Sequence, residues 1–259
     1  MTNEEFSNQF STFLNSYGSV AQFGEQASRQ EIVLDEFEKS VFLTQAQDII
    51  VKSYYERSTN PQGEGFDDSA RRQVDFSSLI RVTELSTTSA TGPLYDSRSI
   101  LFQLPTTTVN GVSTSAVLLI VNEKLCKYQN TTLKKEYVIK PISNVEYDRQ
   151  MSKAYTKPLK KQAWRLFINQ STGFDLRSEI IPRDTLGNNE SWKYRIRYIK
   201  RPRPIILEDL PDGLSIDGVS SETACELHPI LHMDILMKAV ELAATSRGLR
   251  PVQQTRQEQ

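Results

Sequence analysis

Apolar residues recur along the chain with a helical period at both ends and a strand period between them. Thr2 and Glu5 have the spacing of a capping box, and Phe6, Phe10, Phe13, Leu14 and Tyr17 follow as one stripe that stops at Gly18. This predicts an amphipathic helix. The polar linker from Gly18 to Gln30 leaves open whether that helix docks on its own chain or on a neighbour. Asp35 and Glu38 repeat the cap pattern for a second helix, Glu36 to about Arg57. Its apolar residues Phe37, Val41, Phe42, Leu43, Ile49, Ile50 and Tyr54 fall on several sides, which calls for more than one packing neighbour.

The last helix lies in Cys225 to Arg247 and carries both histidines. Pro229 suits the first helical position and disfavours an α conformation at His228, so the helix is expected to start at Pro229. At 3.6 residues per turn Asp234, Lys238, Glu241 and Thr245 share a narrow polar strip, and Ile230, Leu231, Met233, Ile235, Leu236, Met237, Val240 and Leu242 cover most of the rest. That coverage exceeds what one packed side needs, and fits either a central core helix or, as the favoured reading, a helix shared between its own domain and a neighbouring subunit. His232, Leu236, Ala239 and Ala243 lie opposite the strip, where the alanines let another helix approach closely and His232 is expected to be buried.

The middle of the chain alternates with the period of strands. Ile100, Phe102 and Leu104 form one strand, and the apolar run Ala116 to Val121 forms a buried one. Asn110-Gly111 between them is a strong hairpin signal and predicts that these strands pair. Pro105 interrupts the ladder, so the Thr-rich tip from Thr106 to Ser115 is expected to project. Tyr137 to Ile142 is a further strand. Ser143 and Glu146 then cap a short helix to about Ala154, with Ile142 and Tyr147 as a hydrophobic staple. Trp164, Leu166 and Ile168 share a strand face. From Trp192 to Lys200, Tyr194, Ile196 and Tyr198 alternate with Lys193, Arg195 and Arg197. Arg201-Pro202-Arg203-Pro204 cannot continue a paired strand. Val74 to Leu85 fits either a helix or a strand.

Composition adds limits. The hydrophobic fraction of 38% is below the roughly 45–50% usual for globular chains. The difference is made up by Ser, Thr, Asn and Gln, which fits a subunit with much polar contact surface. A net charge of -1 gives no global attraction to nucleic acid or anionic membranes. Cys126 and Cys225 make no disulfide framework and read as reduced, buried side chains. No apolar run approaches the roughly 18 residues of a membrane span, and the start lacks the features of a signal peptide, so a soluble protein is expected.

Catalytic signals are sparse. Cys225, Glu226, His228 and His232 are all metal-binding types, but His228 lies before the helix, so the two imidazoles do not stack on one face and no second cluster supplies ligands. Gly63 and Gly65 follow no strand and precede no Lys-Ser/Thr, which excludes a phosphate loop. No glycine-framed serine occurs. The chain is therefore expected to be no enzyme and to need no cofactor. The strongest electrostatic feature is the run Lys193, Arg195, Arg197, Lys200, Arg201 and Arg203, interleaved with aromatics. It reads as a solvated strand face, as a surface for an acidic protein, or as a nucleic-acid-binding module.

Three segments taken together, DEFEKSVFLTQAQDIIVKSYY, KAYTKPLKKQAWRL, and YRIRYIKRPRPIIL followed by CELHPILHMDILMKAVELA, resemble ring proteins of the head-to-tail connector in crAss-like tailed bacteriophages, a class of portal adaptor. The resemblance spans most of Asp35 to Arg247. Its marks are Lys157-Pro158 with Trp164-Arg165-Leu166, the Arg201-Pro202-Arg203-Pro204-Ile205 element, and Glu226-Leu227-His228-Pro229. The Thr-rich insertion around Asn110 is where this chain is expected to depart from the family. The resemblance implies a virion protein that forms a twelvefold ring below the portal, contacts the portal and other ring or tail proteins, and passes DNA through its lumen without sequence specificity.

The expected fold is α+β, with helices from both chain ends packed together and an antiparallel β region inserted between them. Residues 1–30 are expected to form a helix and linker arm, 31–98 with 219–247 a helical domain, 99–218 a β-rich domain and 248–259 a polar tail. Subunit contacts are expected at Phe37, Val41, Leu43, Ile50, His232, Leu236, Ala239 and Val240. The six cations of the basic run are expected to face a partner or DNA, and Asn110 and Gly111 to tip a projecting hairpin.

Overall fold

A computed structural model describes residues 1–20, 33–55, 74–87, 96, 98–109, 112–152, 158–169, 176–185, 189–211 and 213–247. The chain divides into two compact units, Met1–Leu79 with Pro202–Gln259 and Ile80–Arg201.

The first unit is helical. Helix α1 (Asn3–Val20) starts with the expected capping box: the Thr2 amide donates to Glu5 at 2.8 Å and the Glu5 amide to Thr2 Oγ1 at 3.2 Å. It runs past Gly18, and Phe6, Phe10 and Leu14 are buried. Helix α2 spans Glu36–Tyr55. A 3₁₀ turn, Pro229–Leu231, leads into α4 (His232–Ser246), so the regular helix begins three residues after Pro229. The imidazole of His228 caps the turn by accepting from the Ile230 amide. Helix α4 packs against both α1 and α2. The first helix therefore docks on its own chain.

A buried polar stripe on α2 fastens an extended segment. Ser40, Thr44 and Gln47, one helical turn apart, are buried although polar. Ser40 Oγ accepts from the Leu207 amide at 3.0 Å, Thr44 Oγ1 exchanges two hydrogen bonds with the backbone of Ile205, and Gln47 donates to the Arg203 carbonyl at 2.8 Å. Pro202 and Pro204 bar this stretch from a sheet, and α2 supplies the partners that a sheet would have given. The segment from 202 on thus belongs with the helices. The expected domain boundaries after residues 98 and 218 are corrected to 79/80 and 201/202.

The second unit is a seven-stranded sheet in the order β1-β9-β5-β6-β7-β8-β2 with a separate two-stranded sheet, β3-β4. The strands are β1 Ile80–Ser86, β2 Ile100–Gln103, β3 Thr106–Val109, β4 Val112–Ser115, β5 Val117–Gln129, β6 Thr132–Pro141, β7 Gln162–Asn169, β8 Leu176–Pro182 and β9 Glu190–Lys200. Pairing is antiparallel except between β6 and β7, which run parallel because the connection carries helix α3 (Asn144–Met151). The β region is therefore mixed, where a purely antiparallel one was expected. Ser143 caps α3 through the Glu146 amide, and Ile142 and Tyr147 share a cluster with Trp164, Leu166 and Ile181.

The main core lies on the other face of the sheet, built from residues such as Phe102, Leu125, Tyr137, Trp192, Tyr194 and Ile196. Strand β2 returns toward β1, and Phe102 meets Tyr194 with ring centres 5.3 Å apart, so the sheet curls around this face.

Two strand expectations are corrected. Ile100–Gln103 pairs with β8, and Val117–Gln129 with β6 and β9, so the strands flanking Asn110-Gly111 do not pair with each other. The hairpin instead closes its own ribbon, Thr106 to Val109 against Val112 to Ser115, and the Ala116 amide donates to the Pro105 carbonyl at its base. Asn110 and Gly111 themselves lie outside the described residues.

Candidate interaction surfaces

Strand β9 is an interior strand, between β1 and β5. Its alternation sorts cleanly: Trp192, Tyr194, Ile196 and Tyr198 are buried, and Lys193, Arg195 and Arg197 are half-buried on the opposite face. On that face Glu84 of β1 sits 3.0 Å from Lys193 and 3.1 Å from Arg195, and accepts from Tyr128 Oη at 2.9 Å. Glu136 of β6 takes Lys124 at 2.9 Å and the other side of Arg195 at 3.5 Å. The cations hold both carboxylates below the usual range, Glu84 through Lys193 chiefly against the opposing effect of burial, and Glu136 through Lys124. Arg197 and Arg201 have no carboxylate partner among the described residues. Lys200 is half-buried, and Arg203 lies in the helical unit, 3.7 Å from Glu226. The basic run is thus split between the units, and its first half is partly neutralised.

Register explains why Glu84 and Glu136 escape a reading of the sequence. Each becomes a partner of Arg195 only after β1 and β6 take their places on either side of the β9-β5 pair.

Of the residues expected at subunit contacts, Leu43, Ile50, His232, Leu236, Ala239 and Val240 are buried by their own chain, and Phe37 and Val41 are half-buried. Packing between α1 and α2 uses most of the apolar coverage of α4. What remains outside is a stripe of Ile230, Met233 and Met237, 57%, 45% and 40% exposed, beside the polar strip Asp234, Lys238, Glu241 and Thr245. On the charged face of the sheet Val82 and Val138 are 65% and 60% exposed.

The metal-binding side chain types near α4 are engaged separately. His232 Nε2 lies 3.0 Å from the Leu227 carbonyl and its Nδ1 2.8 Å from the Met1 nitrogen, an arrangement that puts the ring proton on Nε2. Phe6 packs on the same ring at 5.4 Å. Burial lowers the His232 pKa and favours the neutral ring. Cys225 Sγ faces Gln47 Oε1 at 3.6 Å, burial pushes its thiol up to about 11, and Glu226 pairs with Arg203.

A buried ion pair that the sequence did not flag lies on the curled face of the sheet. Arg165 Nε is 2.8 Å from Glu123 Oε2, both side chains are buried, and Tyr194 Oη donates to the same carboxylate at 2.6 Å. Burial raises the pKa of Glu123 and of Tyr194. Arg165 of β7, Glu123 of β5 and Tyr194 of β9 are thereby tied together on that face.

A family profile described as Phage tail ring protein 3/4 matches residues 1–255. The chain belongs to this family of phage tail ring proteins. Two relatives from Bacteroides phage crAss001 agree: "Ring protein 4/5" is 38% identical over 247 residues, 94% of this chain and 92% of the relative, and "Ring protein 3" is 36% identical over 248 residues, 95% and 96%. As a member of the ring-protein family the chain is a structural component of the virion. No helix among the described residues is long and apolar enough to cross a membrane.

Proposed function

We propose that this ring protein assembles as a closed ring in the head-to-tail connector, below the portal, where it joins portal to tail and surrounds the path of the DNA. The role is structural and non-catalytic. The observation that carries the reading is similarity to ring proteins over nearly the whole chain. Twelve copies are the expected number. Phe37, Val41 and the outer side of α4 take part in subunit contacts, with the buried residues behind them holding the helices in place.

The cations of β9 meet protein in this reading. Glu84 and Glu136 already occupy Lys193 and Arg195, and a net charge of -1 gives the chain no general affinity for phosphate. Labelled duplex DNA titrated with purified protein at two salt concentrations tests this. Weak binding with little salt dependence is expected, and tight binding that falls steeply with salt supports a nucleic-acid-binding module instead. Chemical cross-linking of purified virions tests the position: cross-links to the portal are expected, and links to capsid proteins alone would contradict it.

A further inference from the structure

We propose that the Ile230, Met233 and Met237 stripe on α4 of one copy seats against Val82, Val138 and the cations of β9 on the next copy. This rests on the ring reading above. A ring closes through a heterologous contact, in which each subunit offers two different patches that fit one another. Two exposed surfaces of this chain, one on each unit, can fit one another in this way.

The first patch is a ridge. Ile230, Met233 and Met237 follow one another at helical spacing and are exposed although apolar. Asp234, beside them, has no ion partner among the described residues, whereas Glu241 is taken by Lys238 at 2.9 Å. The ridge therefore offers apolar area with an unpaired negative charge at its border.

The second patch is a sheet face. Val82 stands opposite Arg197 in the β1-β9 register, and Val138 opposite Lys124 in the β5-β6 register. Neither valine is needed by the core, which lies on the other side of the sheet. Lys124, Lys193, Arg195 and Arg197 share the face with the carboxylates of Glu84 and Glu136, four positive charges against two negative. The surplus is positive, with Arg197 free of a carboxylate among the described residues. Apolar surface thus meets apolar surface, and the unpaired Asp234 meets the unpaired Arg197. The two patches are carried by the same polypeptide in equal number, which favours a second copy over a different protein as the occupant.

A charge swap in phage propagated with variant ring protein tests the contact, read as copies of this chain per purified virion. Asp234→Arg and Arg197→Glu are each expected to lower incorporation about tenfold, since like charges are brought together, and the double variant to recover it. Melting of each purified variant within a few degrees of the parent protein shows that folding is intact. Unchanged incorporation of the single variants, or no recovery in a folded double variant, overturns the inference. A photo-crosslinker in place of Met237 gives a second reading in virions: a dimer of this chain linked at β1 or β9 is expected, and capture of a different protein overturns it. If the ring is present and these tests fail, the ring reading stands without this contact; if the chain forms no ring, the reading itself falls.

Discussion

Thr44 Oγ1 donates to the Ile205 carbonyl at 3.3 Å and accepts from the Ile205 amide at 3.1 Å, both inside the helical unit. One hydroxyl thereby satisfies both backbone groups of a residue placed after Pro204, where no neighbouring strand does so. Thr44→Val keeps the shape and removes both bonds. It is expected to cost about 1–3 kcal/mol, the penalty of unpaired buried polar groups, and Thr44→Ser to recover most of it. Thermal melting checks this, and a Val variant as stable as the parent would contradict it.

His232→Asp is expected to destabilise far more than Thr245→Asp. The first puts a carboxylate among Phe6, the Leu227 carbonyl and buried helix faces, at a cost of several kcal/mol that the nearby Met1 ammonium offsets only in part. The second changes an exposed residue and stays within roughly 0.5 kcal/mol. Equal shifts in Tm would mean that α4 is turned differently.

Acid should weaken the two units in different windows. Burial depresses the folded pKa of His232 below its ordinary 6.5, so the unfolded chain binds the proton more readily. The stability it contributes is complete above 6.5 and is lost as pH falls from there through the folded value. Arg98, hydrogen-bonded to Asp96, holds that carboxyl well below its ordinary 3.8, with Tyr147 donating a further bond. Its contribution is present above 3.8 and fades as pH falls below it. Melting followed from pH 7 to 3 should therefore show a first loss that His232→Gln flattens and a later one that Asp96→Asn flattens. A profile unchanged by either substitution would contradict these assignments.

Removing one partner of the Glu123–Arg165 pair leaves a buried charge and is expected to cost about 3–5 kcal/mol, whereas Glu123→Leu with Arg165→Met should cost much less than the sum. Denaturant unfolding of the four proteins measures the coupling. Additive losses would show that the pair is not shielded from water.

Neutralising Arg195, Arg197 and Arg201 together should leave the chain folded. Arg195 is half-exposed and its pairs with Glu84 and Glu136 are of the kind that contribute about 0.2–1 kcal/mol. Retained circular dichroism with a Tm drop of a few degrees is expected. Unfolding would make the network essential to the sheet.

What could be read from the sequence followed from local period and capping. Thr2, Glu5, Glu38 and Ser143 fixed helix starts because capping needs residues only three apart, and the alternation around Tyr194 fixed the inner face of β9. Long-range pairing was not legible. Asn110-Gly111 signals a hairpin but not the partners of Ile100 and Val117, which depend on the parallel step between β6 and β7. Ser40, Thr44 and Gln47 carry no local signal of their role because their partners lie more than 150 residues away. For the same reason the apolar coverage of α4 fitted a core helix and a subunit contact alike; α1 and α2 of the same chain take most of it and leave Ile230, Met233 and Met237 exposed.

The most direct test of the ring account is electron cryomicroscopy of purified virions. It predicts this chain in a closed ring of cyclic symmetry next to the portal, in twelve copies, with the outer side of α4 at a subunit boundary. Density without cyclic symmetry, or this chain located away from the head-tail junction, would contradict it.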